Sequence, residues 1–478
     1  MFVYANLPLM VATRLIAIIS LLVTSSAFAD SSLLLKPEQK EWLCKGKRFE
    51  RAGWIYLHIE GEPRERGFQH GYLLAKEIND GLIATRAGWE NDTAMEWSWL
   101  VKRAAAMFVP KIDPENLTEL EGISEGARAA GTNVSRDELI AYNAILELQG
   151  YWWPNELKKI KDQPIESGAR ESCSSFIAIG TWTKDGNVVL GHNTMQSYAD
   201  ALPLVIEDIK PAHGHRILWQ TTAGWIHSGT DFFITDAGIV GSETTIGQFE
   251  GFDTNGVPEF TRMRRATQDA GSLDAWSEIM KKGNNGGYAN AWLLGDINSK
   301  EIARLELGLK YIGYEKKRDG YFVGSNVAEN RKILRHETER NNTDIRLSSV
   351  ARRVRWKQLM KQNAGKIDVE MAKRFEADHY DAYREKIHAG GRSLCGHFEL
   401  DEIPQGHDVP FDCSGTVDGK VVDATMARHM SFAARWGAAC GMPFEGEKFL
   451  AAHPQFDWME GLLKDRPRQP WTVFRAGE

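Results

Sequence analysis

The residues of this chain best suited to covalent chemistry are Cys173, in the small-residue step Ser172-Cys173-Ser174-Ser175, and the polar run Gly191-His192-Asn193-Thr194 that follows it. A thiolate attacks a carbonyl carbon, but an unassisted thiol has a pKa of ~8.5 and needs a base or a positive neighbour. Taken alone, Cys173 reads as a core cysteine opening a buried strand, because free cysteines are among the most buried residues. Its setting argues for more. A charged run from Lys158 to Arg170, broken by Pro164 and Gly168, stops just before it and reads as an exposed loop open to cleavage. If the Ser172–Cys173 peptide bond were cut, Cys173 would carry a free α-amine of pKa ~8 on the nucleophilic residue itself, a base that needs no second side chain. A papain-like site is not indicated, since Cys173 opens a strand rather than a helix.

These residues need elements to position them. Ser175 to Trp182 and Asn187 to Gly191 read as the strands of a hairpin turned at Lys184-Asp185-Gly186. Antiparallel pairing then returns His192, Asn193 or Thr194 alongside Cys173. Asn290 opens another strand after Gly286-Gly287-Tyr288-Ala289, and its amide suits an oxyanion, although by itself it reads as a loop cap. Further strands are expected at Leu204 to Ile209, Arg216 to Thr221, Phe232 to Thr235, Ile239 to Thr245 and Ile302 to Leu307. Helical spacing covers Arg64 to Gly150, where Ser135 and Glu138 form a capping box, and returns at Thr261 to Lys281, Leu347 to Met360 and Val369 to Ile387. The tail from Cys395 to Glu478 reads as irregular, with one helix at Ala424 to Trp436. Helices followed by antiparallel strands with interspersed helices predict an α+β fold with helices layered on sheet.

Composition narrows the function. A net charge of -7 over 478 residues argues against a nucleic-acid partner, which needs a basic face. Arg14, the apolar run Leu15 to Val23 and Ala27-Phe28-Ala29 read as a secretory signal over residues 1–29, giving an exported protein. Of five cysteines, Cys395 and Cys413 flank a Pro- and Gly-containing loop and are the expected disulfide, which leaves Cys173 for chemistry. No cofactor or metal is implied, and His213-Gly214-His215 reads as a surface turn.

Ser172-Cys173-Ser174-Ser175 and Gly191-His192-Asn193-Thr194, then Asp231-Phe232-Phe233-Ile234, Ser242-Glu243-Thr244-Thr245-Ile246-Gly247 and Tyr288-Ala289-Asn290-Ala291-Trp292, together resemble the phospholipase B-like family. Upstream, Glu65-Arg66-Gly67-Phe68-Gln69-His70-Gly71 is similar to the start of the autoproteolytic acyltransferases of peptidase family C45. Both are N-terminal nucleophile hydrolases. The resemblance implies a four-layer αββα fold, with residues 30–172 a helical segment ending in a cleavable linker and residues 173–478 the catalytic chain of the same domain. It also implies self-cleavage between Ser172 and Cys173, then hydrolysis of a fatty-acyl or other acyl ester or amide through a thioester. Carried over by position, Cys173 is the nucleophile, His192 and Asn193 line the site, Asn290 is the oxyanion donor, and Thr194, Met195, Thr244 and Trp292 border the substrate. The family has Trp where this chain has Met195, and Asn-Gln-Trp where it has Asn290-Ala291-Trp292, so the acyl pocket differs in shape. The expected partner is a small acylated substrate, with peripheral membrane contact if that substrate is a lipid. Transfer of the acyl group to an amine is the alternative within the class, and a non-catalytic exported binding protein the alternative outside it.

Overall fold

The computed structural model describes residues 35–161, 173–200, 204–229, 232–339, 342–401 and 411–478. The expected signal peptide, Ser172 and most of the linker lie outside the described residues; the linker's first residues, Lys158 to Lys161, end the helix Trp153–Lys161.

In chain order the strands are β1 (Lys47–Arg51), β2 (Trp54–Gly61), β3 (Cys173–Ile179), β4 (Val189–Ser197), β5 (Leu204–Pro211), β6 (Ile217–Thr222), β7 (Phe232–Thr235), β8 (Ile239–Thr245), β9 (Asn290–Asp296), β10 (Glu301–Leu307), β11 (Ile312–Lys317), β12 (Gly320–Gly324), β13 (Tyr380–Asp381), β14 (Lys386–Ile387), β15 (Ser414–Asp423), β16 (Ser431–Trp436) and β17 (Thr472–Arg475). They form a nine-stranded sheet ordered β1-β2-β5-β6-β7-β8-β9-β10-β11, a six-stranded sheet ordered β12-β3-β4-β15-β16-β17, and the small β13-β14 hairpin.

Strand alternation sorts the apolar side chains into layers. Ile177, Leu190 and Phe432 of the smaller sheet pack against Ile206, Phe232 and Leu293 of the larger one. On the larger sheet's other face, Trp219, Trp292 and Leu294 meet the helices between residues 63 and 161 and those of residues 259–281. On the smaller sheet's outer face, Phe176 and Val189 meet Trp356 and Phe375 of the helices Ser348–Gln362 and Val369–Glu376. The order is helix, sheet, sheet, helix, the αββα arrangement expected. In the first helical layer, Pro63–Leu73 crosses Pro114–Ala129 so closely that a Cβ on Gly71 would lie 2.0 Å from the Ile123 carbonyl oxygen. No helix of the described residues is long and apolar enough to cross a membrane.

The expected strands from Cys173 to Leu307 are present, and the hairpin prediction holds: β3 pairs with β4 from Cys173↔Thr194 to Ala178↔Val189. Four readings are corrected. The first segment is not purely helical, since β2 pairs in parallel with β5 and so ties residues before the linker into the larger sheet. The helix expected at 261–281 is two, Glu259–Asp269 and Leu273–Lys281, with Ser272 capping the second through the Ala275 amide. The helix expected at 369–387 stops at Glu376. The tail is not irregular: β15 sits between β4 and β16 inside the smaller sheet, and the helix expected at 424–436 is a short turn, Ala424–Arg428, leading into β16.

Candidate active site

Cys173 is the first residue of β3 and is 1% exposed. The register sets one row, Cys173, Thr194 and Asp418, across β3, β4 and β15, and the next row on the same face is Ser175, His192 and Lys420. A bulge at Val417 brings Asp418 opposite Thr194.

This face looks at the larger sheet. Ser175 Oγ lies 2.6 Å from Ser242 Oγ, His192 Nε2 2.8 Å from the Glu243 carbonyl oxygen, and Lys420 Nζ 3.4 Å from Gln220 Oε1. Gly324, paired with Ser175, lacks the Cβ that would otherwise sit 2.4 Å from Thr244 Oγ1. Cys173, two residues from Ser175, therefore projects between the sheets at their end.

The immediate neighbours of Cys173 form a polar net. Its backbone N–H donates to Asn326 Oδ1 at 3.4 Å, while Asn326 Nδ2 donates to the Thr245 carbonyl at 2.8 Å. Asn326 holds a left-handed φ of 67°, a conformation asparagine tolerates better than most residues. Arg352, fully buried, donates to the Cys173 carbonyl at 2.5 Å, to Ser174 Oγ at 3.1 Å and to Asn326 Oδ1 at 2.7 Å. Beside Cys173, Thr194 Oγ1 accepts from Lys420 Nζ at 2.7 Å, and Lys420 pairs with Asp418 at 2.7 Å. Burial, with the Lys420 charge second, holds the His192 imidazole well below its usual pKa, so it is neutral. Its Nε2–H donates to a carbonyl, which leaves the lone pair on Nδ1.

The expected site residues divide by face. Cys173, His192, Thr194 and Thr244 lie on the faces between the sheets, and it is Thr194, not His192, that stands beside Cys173. Asn193 and Met195 point the other way: Asn193 Nδ2 donates to the carbonyls of Glu376 at 2.7 Å and Leu394 at 3.1 Å, and Met195 packs against Gly396. Trp292 meets Trp276 edge-on and Phe233 at a tilt on the side of the helical layer, away from Cys173. Asn290 pairs with Thr245, whose carbonyl holds Asn326. By alternation Asn290 shares the side of Trp292, yet its amide is fully buried and both polar atoms lack a hydrogen-bond partner. Sequence reasoning missed Asn326, Arg352, Asp418 and Lys420. The tripeptide Gly324-Ser325-Asn326 after a strand pattern was a signal for the first; the other three sit in a helix and in a tail whose strands carry little alternation.

The expected Cys395–Cys413 disulfide is not formed, and none of the five cysteines is in a disulfide. Cys395 lies beside Cys440 and two histidines instead. His215 bonds Asp236 at 2.8 Å in an exposed turn, as expected of His213-Gly214-His215.

Comparison with known proteins agrees with the sequence resemblance. The sequence model of the phospholipase B family matches residues 115–312. A protein of Archaeoglobus fulgidus described as uncharacterized is 26% identical over 260 residues, covering 52% of this chain and 42% of its own length. Phospholipase B-like 2 of Bos taurus is 27% identical over 200 residues, covering 38% of this chain and 33% of its own length. The chain thus spans less than half the length of these relatives. Among solved structures, a conjugated bile acid hydrolase of Clostridium perfringens superposes with a TM-score of 0.35 at 9% identity, covering 55% of this chain and 89% of that one. Over part of its length the chain is similar to the phospholipase B-like proteins.

Proposed function

We propose that this protein is an exported N-terminal cysteine hydrolase that cuts itself between Ser172 and Cys173 and then hydrolyses a fatty-acyl or related acyl ester or amide. The observation that carries the reading is Cys173 itself: a buried thiol at the very start of a strand, projecting between two sheets, with its backbone N–H and C=O both held by side chains. A core cysteine needs no such grip on its own peptide groups.

In self-cleavage, Sγ attacks the Ser172 carbonyl carbon, the C–N bond to Cys173 breaks, and the thiol proton passes to the new amine. Water then hydrolyses the thioester, leaving a carboxylate on Ser172 and a thiol on Cys173. In turnover the α-amine takes the thiol proton, and the thiolate attacks the acyl carbon. The ammonium returns that proton to the departing alcohol or amine, and water activated by the amine releases the acid.

Two features of the site favour this cycle. Asn326 Oδ1 accepts from the Cys173 nitrogen, which aims the amine's lone pair. The Arg352 guanidinium, bonded to that same oxygen and to the Cys173 carbonyl, places positive charge near the amine and favours its neutral, basic form. Thr194 stands beside Cys173, where an oxyanion would form, whereas Asn290, expected as the oxyanion donor, lies by alternation on the helix-facing side of β9.

Intact-mass measurement tests the first half. Wild type should separate into two chains at Ser172–Cys173, and Cys173→Ala should stay whole; a wild type that stays whole sinks self-cleavage. Acyl esters and N-acyl amides offered to the cleaved protein test the second half, since release of no acid from either would sink the hydrolase reading.

A further inference from the structure

On the outer side of the smaller sheet, His379, Cys395, His397 and Cys440 bring one nitrogen or sulfur each to a common point, all within 4.8 Å of one another. They come from three segments: the chain after the helix Val369–Glu376, the loop before residue 401, and the turn after β16. Their spacing fits one shape. His397 Nε2 lies 3.6 Å from Cys395 Sγ and 3.5 Å from Cys440 Sγ. A tetrahedral ion with bonds of ~2.3 Å to sulfur and ~2.05 Å to nitrogen sets those atoms ~3.6 Å apart.

The surroundings prepare the same atoms. His397 Nδ1 bonds Glu399 Oε1 at 2.9 Å, which puts its proton on Nδ1 and leaves the Nε2 lone pair facing the sulfurs, as an outer carboxylate does for a metal-bound imidazole. The Met442 N–H donates to Cys440 Sγ at 3.3 Å, a contact that stabilises a thiolate. His379 Nε2 is buried without a hydrogen-bond partner, and its ring stands edge-on to that of His397 at 5.2 Å. Cys395 and His397 are fully buried, whereas His379 and Cys440 are partly open, which gives an ion a way in.

We propose that His379, Cys395, His397 and Cys440 form a zinc site, closed by four protein ligands and so structural rather than catalytic. Binding releases the two thiol protons to solvent, and the imidazoles bind neutral. The site staples the C-terminal segment to the sheet that carries Cys173. The connection runs through Leu394, whose carbonyl, next to Cys395, accepts from Asn193 of β4. The proposal does not depend on the chemistry of Cys173.

The competing outcome is a Cys395–Cys440 disulfide, and the experiment separates the two. The full chain, purified under mild reductant and dialysed against micromolar zinc, should carry about one zinc per chain by elemental analysis. A chelator should lower its melting temperature and added zinc restore it. Cobalt in place of zinc should show the intense visible absorption of a tetrahedral thiolate site. His379→Ala and Cys440→Ser should lose the ion, Glu399→Gln should weaken its binding by about 10- to 100-fold, and Cys413→Ser should keep it. A wild-type chain that takes up no zinc after dialysis overturns the proposal even if the variants fail to fold. So does a peptide map showing Cys395 joined to Cys440 in protein that has not been reduced, if reduction does not restore zinc uptake.

Discussion

The two faces of β4 hold polar residues in alternation and use them differently. The inner face carries His192 and Thr194, which with Asp418 and Lys420 of β15 make a buried polar layer opposite the larger sheet. The outer face carries Gly191, Asn193 and Met195, which hold the helix Val369–Glu376 and the loop around Cys395. The cysteines repeat the contrast. Cys173 faces inward with a threonine at its side. Cys395 and Cys440 lie on the outer side among imidazoles. A thiol's chemistry is set by which partners reach it. A thiol beside a hydroxyl suits a nucleophile, and paired thiols among histidines suit an ion or a disulfide.

The largest expected effect separates these faces at the cysteines. Cys173→Ala should lower acyl hydrolysis by on the order of 10³-fold or more and leave the chain uncut, while its melting temperature and zinc content stay as in wild type. Cys440→Ser should do the reverse, losing the ion and some thermal stability before any loss of cleavage. If both variants lost cleavage to the same degree, measured by intact mass on folded protein, the division between the faces would fail.

Arg352 is the next strongest test, because it reaches from the outer helix over the end of β3 to the Cys173 carbonyl. In the cleaved chain proposed above, its positive charge would disfavour the ammonium form of the Cys173 amine, and activity would rise at a lower pH. Removing the charge in Arg352→Gln should move the acid limb of the pH–rate profile up by about one unit, and Arg352→Lys should leave the limb in place while slowing cleavage roughly tenfold through the lost fork. An unmoved limb in Arg352→Gln would remove Arg352 from the base's environment.

The strand from Cys173 and its hairpin partner were legible because the turn Lys184-Asp185-Gly186 fixes their register, and register fixes which residue meets Cys173. The faces of Asn193 and Trp292 were equally derivable, since side chains alternate, but a motif read as a block ignores alternation. The tail was not legible. In β15 a bulge at Val417 interrupts the alternation, and buried Asp418 and Lys420 look like surface charges until the Thr194 row is seen beside them. The cysteine cluster was hidden for another reason: its ligands come from three segments, and only Cys395 and His397 are near one another in the chain.

Adjacent residues sharpen the comparison at a smaller scale. Asn193→Ala removes the donor to two buried carbonyls and should cost about 2 kcal/mol of stability, read as a lower melting temperature, with cleavage intact. Thr194→Val keeps the volume but removes the hydroxyl beside Cys173, and should lower hydrolysis by roughly tenfold with a smaller change in melting. If Asn193→Ala stopped cleavage in folded protein, the outer face would belong to the active site after all.

The smallest effect is a pH dependence on the outer face. Glu376 is fully buried, its carboxyl oxygens lack partners, and one of them lies where a Cβ on Gly191 would stand. Burial, with Asp418 adding to it and Lys420 opposing, raises its pKa well above the usual carboxylate value. The folded chain therefore keeps a proton that the unfolded chain gives up at about pH 4.3. Stability from this group is present below that pH and declines as pH rises toward the folded pKa, because the unfolded state binds fewer protons over that window. Glu376→Gln holds the neutral shape at every pH, so its melting temperature should fall less than that of wild type between pH 5 and pH 8, taken as roughly the physiological span. Cleavage should be unchanged, since Gly191 and the backbone of β4 separate this carboxyl from the face that bears Cys173. A variant whose melting profile parallels wild type would mean the carboxylate is already charged and solvated, and the outer face would then be wetter than its burial implies.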